Sequence, residues 1–286
     1  MTSPTTTAAH RILIVNCYPQ ASRDNFDRQD VGHPHDLFRD VLAREAPNAT
    51  TEIVYIADPD FALPAGTTIA DFDGVIWTGS DLRLGDTDDP RVVAQRTFAR
   101  ELLDAGTACW GSCWGIQLAS VVAGGQVEVN PRGREWGVAR DIALTDVAAT
   151  MPMHEGKPAK FDAFIMHLDE VTVLPDGVEL LATNDHSHVQ AAIIGSFWAT
   201  QYHPEYNLLE MGRLIAARAA ALVKEGFFPD EDAVARYAHA MKALHADPDS
   251  AELRAELNIG DDIIDPRIRE LELRNWLRYV DDCAGR

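Results

Sequence analysis

Apolar positions along the chain follow either a strand-like or a helix-like pattern, and each change from one pattern to the other marks the boundary of a predicted element. Short, mainly apolar runs typical of buried strands fall at residues 11–16, 51–57, 74–78 and 107–110. Helices are predicted at 36–45 and 90–105, and a third follows the fourth strand and ends at 123. A polar, turn-rich loop is predicted at 17–35, and several short strands are predicted at 127–201. This succession predicts an α/β fold with an open, mostly parallel sheet, helices on both of its faces and a smaller antiparallel patch.

Beyond Val223 the pattern becomes entirely helical. Asp265 and Pro266 provide an N-cap and a first-turn proline for the last predicted helix, whose apolar residues are Ile268, Leu271, Trp276, Leu277 and Val280. We therefore predict three parts: a disordered N-terminus at 1–10, an α/β domain at 11–224 and a helical C-terminal extension at 225–286. The extension is expected to dock on the main domain or on a partner.

One cysteine stands on a tight turn between a predicted strand and a predicted helix. Residues 111–117 have the sequence Gly-Ser-Cys-Trp-Gly-Ile-Gln. Small residues beside Cys113 relieve the strain of such a turn, and the helix N-terminus behind it favours the thiolate. An arbitrary cysteine is usually a small buried hydrophobic residue, but this position makes Cys113 a candidate nucleophile.

A second segment supplies the groups that a cysteine nucleophile needs. Gln201-Tyr202-His203-Pro204-Glu205 follows the apolar run 196–200. His203 can act as a general base, and Glu205 lies two residues further on, where a strand end can present both side chains on one side. Nucleophile, base and orienting carboxylate then occur in the chain order Cys113, His203, Glu205.

Together these two segments resemble the signature of the class I glutamine amidotransferases, Gly-x-Cys-x-Gly-x-Gln followed by Gln-x-His-Pro-Glu. The segment from Met166 to Val171 is similar to the family's His-x-Asp-Glu-Val segment, and residues 75–80 occupy the place of a strand that ends in Ser-Gly-Gly. The likeness covers about 11–224 and is nearest to the glutaminase domain of GMP synthetases and their free-standing relatives, including γ-glutamyl amide hydrolases. It implies an α/β catalytic domain that cleaves a carboxamide through a cysteine.

The resemblance also implies an oxyanion hole made of backbone N–H groups. Trp114 contributes one donor from the start of its helix, and Gly79 or Ser80 contributes the second. Ser80 departs from the family, because a glycine is usual there and tolerates backbone angles that serine does not.

Further site residues are carried over from the family on matching positions. Gln117 is expected to hold the amino-acid end of glutamine. The stretch Asp185, His186, Ser187 and His188 lies where family members present backbone groups to the same end of the substrate. His167 is expected to serve as a structural residue behind the site rather than as a catalyst, because Met166 replaces the usual Ser or Trp.

The formal charge of −20 argues against nucleic acid and anionic membranes as partners, since both require clusters of Lys and Arg. The first ten residues lack the basic start and apolar stretch of a signal peptide, and no run is long enough to span a membrane. The four cysteines have no framework spacing, which fits a reducing compartment, so we expect a cytoplasmic protein. No cofactor and no metal are expected.

Three functions from different classes remain open. The first is a free-standing thiol hydrolase that cuts the γ-amide of glutamine or of a γ-glutamylated amine and releases glutamate. The second is a glutaminase subunit that delivers ammonia to a separate synthetase. The third, a catalytically silent binding protein, is disfavoured because a silent copy has no chemical reason to retain Cys113, His203 and Glu205.

Overall fold

A computed structural model describes Thr6 and residues 8–284 of the 286-residue chain. Its eleven strands in this part are β1 (Arg11–Asn16), β2 (Thr50–Tyr55), β3 (Gly74–Trp77), β4 (Cys109–Ser112), β5 (Gln126–Val129), β6 (Glu135–Leu144), β7 (Lys160–His167), β8 (Asp169–Val173), β9 (Leu180–Thr183), β10 (Ala191–Ile194) and β11 (Phe197–Thr200). The described helices are α1 (Gln20–Arg28), α2 (Pro34–Glu45), α3 (Pro90–Ala105), α4 (Trp114–Val122), α5 (Leu208–Ala217), α6 (Ala219–Lys224), α7 (Glu231–Ala246), α8 (Ala251–Leu257), α9 (Asp261–Ile264), α10 (Pro266–Arg269) and α11 (Leu271–Ala284).

Nine of these strands form one sheet in the order β2-β1-β3-β4-β11-β10-β9-β6-β7, and β5 pairs with β8 in a separate antiparallel ribbon. The five strands from β2 to β11 are parallel, and the other four continue the sheet in antiparallel pairings. The predicted α/β class is therefore confirmed, with the antiparallel part joined to the edge of the parallel part.

Alternate residues of the central strands supply two cores on opposite faces of the sheet. Ile12 and Ile14 of β1 pack on one face with residues of α2 and α11. Leu13 and Val15 pack on the other face with residues of α3 and α4. Because both faces are covered, β1 and β3 are apolar at almost every position, which is the reason their runs are legible in the sequence.

Two predicted features need correction or refinement. The predicted loop at 17–35 contains α1, which the sequence pattern missed because only Arg23 and Phe26 of this helix are buried. The C-terminal helices are present, but α11 lies in the same core as β1: Leu273, Trp276, Leu277 and Val280 are all buried there. The division at 224 and 225 stays a prediction.

The N-terminus at 1–10 is predicted to be disordered, and its residues 1–5 and 7 lie outside the described part of the chain. Thr6 is placed, and its hydroxyl donates a hydrogen bond of 2.8 Å to Asp281 of α11. The buried ring of His10 also contacts that carboxylate, at 2.5 Å. No helix in the described part of the chain is both long and apolar enough to cross a membrane.

Trp276 of α11 packs closely against the sheet, and this contact gives a stability prediction. Its ring lies so close to β3 that a Cβ on Gly74 would be 3.0 Å from two of its atoms. We expect Trp276→Ala to lower the free energy of unfolding by about 3–5 kcal/mol, measured in urea, because it leaves a large cavity. The exposed Phe227 is the matched control, and Phe227→Ala is expected to cost less than about 1 kcal/mol. Equal losses for both variants would contradict a core role for α11.

Candidate active site

Cys113 occupies a strained turn between β4 and α4. Its φ of 53° and ψ of −91° lie outside the regions that non-glycine residues normally adopt. The turn is possible because residue 111 has no side chain: a Cβ on Gly111 would lie only 2.9 Å from Cα of Gly115. Glycine at 111 thus allows strand and helix to approach closely enough to hold the cysteine at the sheet edge.

His203 and Glu205 follow β11, the parallel neighbour of β4, and lie beside Cys113. His203 Nδ1 is 2.7 Å from Glu205 Oε1, and Cys113 lies close enough to the imidazole to raise its pKa. All three side chains are buried. The structure therefore brings together the three residues that the two motifs singled out.

A further chain of hydrogen bonds holds Glu205 from behind. Ser112 Oγ donates to Glu205 Oε2 at 2.9 Å, and Trp110 Nε1 donates to Ser112 Oγ at 3.0 Å. Both oxygens of the carboxylate are thus occupied, which fixes its orientation toward His203. Neither Ser112 nor Trp110 was predicted from the sequence, although their spacing of two on β4 places them on one face.

The electrostatic surroundings favour a charged His203. Burial alone lowers the pKa of this imidazole, but the Glu205 carboxylate, which is hydrogen-bonded to the ring, and the nearby Cys113 side chain outweigh burial and raise the pKa to about 10. At neutral pH the ring is therefore an imidazolium, which can donate a proton to a leaving group.

The other buried cysteines differ from Cys113. Burial raises the pKa of Cys17 and of Cys109 far above the usual value, so both remain neutral thiols. Cys113, in contrast, has polar contacts: Gln201 Nε2 is 3.4 Å from its Sγ, and the carbonyl oxygen of Met166 is 3.5 Å from the same atom.

The predicted oxyanion donors lie around the cysteine. Trp114 is the first residue of α4, so its N–H has no acceptor within the helix. Gly79 is close to the base, because a Cβ there would be 3.2 Å from His203 Cε1. Ser80 is not among the described non-glycine residues with positive φ, and its hydroxyl donates to the Cys17 carbonyl at 2.9 Å. Serine therefore fits this position without backbone strain.

A cavity of about 250 Å³ opens over Cys113 and His203. It is lined by Tyr18, Ser80, Asp81, Leu82, Arg83, Cys113, Trp114, Gln117, Arg134, Trp136, Met166, His167, Leu168, Asp169, His203, Arg218, Ala221, Leu222 and Glu225. Gln117 Nε2 donates to the Asp169 carbonyl at 2.6 Å and to Gln201 Oε1 at 3.2 Å, so its side chain is held at the wall of this cavity.

The loop 185–188 lies elsewhere. None of its four residues is in the described lining of the cavity. The N–H groups of His186 and Ser187 donate to Asn184 Oδ1 at 3.2 and 2.8 Å, and Ser187 Oγ donates to the buried Glu170 at 2.6 Å. The structure thus places this loop outside the described lining of the cavity, and substrate contact by it stays a prediction.

His167 lines the cavity and is fixed from two sides. Its Nε2 is 3.0 Å from Glu135 Oε2, and its Nδ1 is 3.0 Å from the Asp169 carbonyl. Burial acts to raise the pKa of Glu135, but the hydrogen bonds from His167 and Asn184 reverse this and lower it. Glu135 is therefore a carboxylate that anchors His167, a partner that the sequence pattern did not reveal. No group of three or more His, Cys, Asp or Glu residues in the described chain is arranged to hold a metal ion.

Comparison with known families bears on this geometry. The family model described as glutamine amidotransferase class-I matches residues 48–221, more than half of the chain, and the match includes both motifs. The chain belongs to the class I glutamine amidotransferases. It is accordingly an enzyme of the group that hydrolyses glutamine and γ-glutamyl amides.

Individual relatives of this class I amidotransferase differ in how much of it they match. The γ-glutamyl-L-1-hydroxyisopropylamide hydrolase of a Pseudomonas species is 32% identical over 279 residues, covering 94% of this chain and 92% of that protein. γ-Glutamyl peptidase 5 of Arabidopsis thaliana is 30% identical over 160 residues, 54% of this chain and 62% of the peptidase. The GMP synthase of Thermomicrobium roseum is 30% identical over 142 residues, which are 50% of this chain and only 25% of the synthase.

Solved structures extend the likeness of the fold to the whole amidotransferase. A glutamine amidotransferase of Thermotoga maritima covers 96% of this chain and 98% of its own, with a TM-score of 0.66 at 18% identity. One from Methylobacillus flagellatus covers 95% of both chains, with a TM-score of 0.65 at 20% identity. Both matches extend into the C-terminal helices of this chain, so these helices are part of a shared fold.

The close approach of β4 and α4 yields a prediction that distinguishes two glycines. Gly111→Ala should destabilise the amidotransferase by about 1–3 kcal/mol and reduce its activity, because the new Cβ would meet the backbone of Gly115. Gly115→Ala should be neutral or slightly stabilising, since its Cβ would be 3.5 Å from Trp77 Cβ, an ordinary contact, and alanine favours a helix. Urea unfolding and activity assays of both variants check this. Similar effects of the two substitutions would contradict it.

Proposed function

We propose that this amidotransferase is a free-standing hydrolase that cleaves the γ-amide bond of a γ-glutamylated amine through a glutamyl-thioester on Cys113. The observation that carries the proposal is that Cys113 and His203 line one cavity, with His203 Nδ1 2.7 Å from the buried carboxylate of Glu205. The Pseudomonas hydrolase, which matches over nearly its whole length, supports a γ-glutamyl amide as the substrate.

In the proposed reaction, Cys113 Sγ attacks the γ-carbonyl carbon, and the carbonyl oxygen becomes an oxyanion held by the N–H groups of Trp114 and of Gly79 or Ser80. His203 donates its proton to the amine nitrogen as the C–N bond breaks, which leaves the thioester. A water molecule then gives a proton to His203 and attacks the thioester, releasing glutamate and the thiol. Glu205 holds the imidazole in the productive orientation throughout.

One wall of the cavity is suited to the glutamyl half of the substrate. We assign Gln117 to the glutamyl end, because its amide is fixed beside Asp169 and Gln201 on the side of α4. The names of the relatives leave the amine open, since one is a hydroxyisopropylamide hydrolase and another a peptidase.

A second candidate function is that of a glutaminase subunit that passes ammonia to a separate synthetase, which the partial match to a GMP synthase favours. One assay separates the two functions: purified protein against glutamine and a panel of γ-glutamyl alkyl- and arylamides. High turnover of an amide with little glutaminase activity supports the hydrolase. Weak glutaminase activity that rises when a co-purifying synthetase is added would overturn it.

One prediction of the proposed mechanism concerns the nucleophile. Cys113→Ala is expected to reduce turnover by about 10⁴-fold or more while the protein remains folded, because the triad acts as a unit. Cys17→Ala, Cys109→Ala and Cys283→Ala serve as controls and should keep most of the activity. Steady-state rates and peptide mapping after iodoacetamide treatment provide the measurement. Inactivation through one of the other three cysteines, with Cys113 unmodified, would refute the assignment.

A second prediction concerns pH. His203 must be protonated to release an alkylamine, and its pKa is raised to about 10, so kcat should fall only as the pH rises toward that value. In Glu205→Gln the carboxylate that favours the imidazolium is lost while burial remains, so the alkaline limb should move down by about one pH unit or more. Measuring kcat against pH on an alkylamide tests this.

An arylamide provides the control for the pH prediction. An aryl leaving group is a weak base that departs with little protonation, so the alkaline limb should be weaker on this substrate in both proteins. An alkaline limb on the alkylamide that stays at the same pH in Glu205→Gln would show that Glu205 does not set the pKa of the acid.

A further inference from the structure

Two polar atoms lie close to the Cys113 sulfur, and they differ in what they offer it. The carbonyl oxygen of Met166 lies 3.5 Å away and can only accept a hydrogen bond, whereas Gln201 Nε2 lies 3.4 Å away and can only donate one. The carbonyl therefore suits a protonated thiol, and the Gln201 N–H suits a thiolate. Gln201 is completely buried, so solvent does not compete for this contact.

A second glutamine fixes which end of the Gln201 amide faces the sulfur. Gln117 Nε2 lies 2.6 Å from the Asp169 carbonyl oxygen, and because this oxygen can only accept, the atom of Gln117 that faces it must be the nitrogen. The same nitrogen lies 3.2 Å from Gln201 Oε1. Gln201 therefore presents its oxygen to Gln117, and its nitrogen faces Cys113.

The backbone of Gln201 is anchored as firmly as its side chain. Its N–H donates to the Gln190 carbonyl at 2.8 Å, and the residue before it, Thr200, accepts a hydrogen bond of 2.7 Å from the N–H of Cys113. The position of the amide relative to the sulfur is thus set by hydrogen bonds at both ends of the residue.

Other ionisable groups also act on the charge of this sulfur. The nearby His203 imidazolium favours a thiolate. Burial raises the pKa values of the Tyr18 and Tyr206 phenols, so both remain neutral. Further ionisable side chains line the same cavity: Asp81, Arg83, Arg134, His167, Asp169, Arg218 and Glu225. A substitution at residue 201 leaves all of these groups in place, so it isolates the effect of the amide.

We propose that Gln201 is a further catalytic residue, which stabilises the Cys113 thiolate by donating its Nε2–H to the sulfur, and that Gln117 is the positioning residue that keeps the Gln201 amide turned that way. The inference rests on the proposed role of Cys113 as the nucleophile. It gives Gln117 a second role, because the residue assigned to the glutamyl end of the substrate also orients the donor to the sulfur.

The test measures how readily Cys113 loses its proton, from the rate at which iodoacetamide modifies the Cys113 peptide at a series of pH values. Gln201→Met keeps the length of the side chain but removes the N–H donor, so the midpoint of this alkylation profile should move up by about one pH unit or more. The acid limb of kcat/KM on a γ-glutamyl arylamide should move in the same direction.

A second variant tests the orienting role of Gln117 and does not depend on whether Gln201→Met folds. Gln117→Met leaves the Gln201 amide free to turn its oxygen toward the sulfur. The alkylation midpoint should therefore move up in this variant as well, by less than in Gln201→Met, because the donor is displaced for part of the time rather than removed.

Gln95→Met is the matched control. Gln95 is also a buried glutamine, but its side-chain oxygen accepts from Trp114 Nε1 at 2.7 Å, and within the described chain it makes no hydrogen bond to Cys113. The alkylation midpoint should be unchanged in this variant.

An unchanged midpoint in a folded Gln201→Met or Gln117→Met protein would overturn the inference. So would an equal shift in Gln95→Met, since it would assign the effect to packing. Failure of the wild type to hydrolyse any γ-glutamyl amide, with the midpoint still moving as predicted, would reject the proposed function and leave the hydrogen bond from Gln201 to the thiolate supported.

Discussion

The parallel pairing of β4 with β11 holds the two halves of the site in register. Thr200 lies opposite Ser112, and the N–H of Cys113 donates to the Thr200 carbonyl at 2.7 Å. Because parallel strands end at the same edge of a sheet, this pairing brings the cysteine to the start of the segment that carries His203. The nearness of Cys113 and His203 at one edge of the sheet follows from this alignment.

A buried polar network extends that constraint to the C-terminal helix. Tyr202, next to the base, donates from its hydroxyl to Glu272 of α11, and the same carboxylate forms an ion pair of 2.9 Å with Lys157. Both members of the ion pair are almost inaccessible to solvent. Burial lowers the pKa of Lys157, and Glu272 acts against that effect. A buried ion pair adds little net stability, but it fixes where α11 docks relative to the catalytic segment.

Short-range chemistry was predictable from the sequence, and long-range contacts were not. The buried strands and the motifs around Cys113 and His203 are legible because each depends on neighbours a few residues away. The hydrogen bond from Ser112 to Glu205 spans 93 positions, and the pair of His167 with Glu135 spans 32, so each needs the register of the sheet. Helix α1 was missed because it buries too few residues to leave a periodic signal. Loop conformations, such as that of 185–188, cannot be predicted from the local sequence pattern.

The central claim is that Cys113 carries the acyl group during turnover. The most direct measurement is acid quenching of the enzyme during hydrolysis of a γ-glutamyl arylamide, followed by peptide mass spectrometry. The account predicts that the mass of one glutamyl group appears on the peptide that contains Cys113 and is removed by hydroxylamine, as a thioester would be. A covalent adduct on a different residue, or rapid turnover in a Cys113→Ala protein, would contradict it.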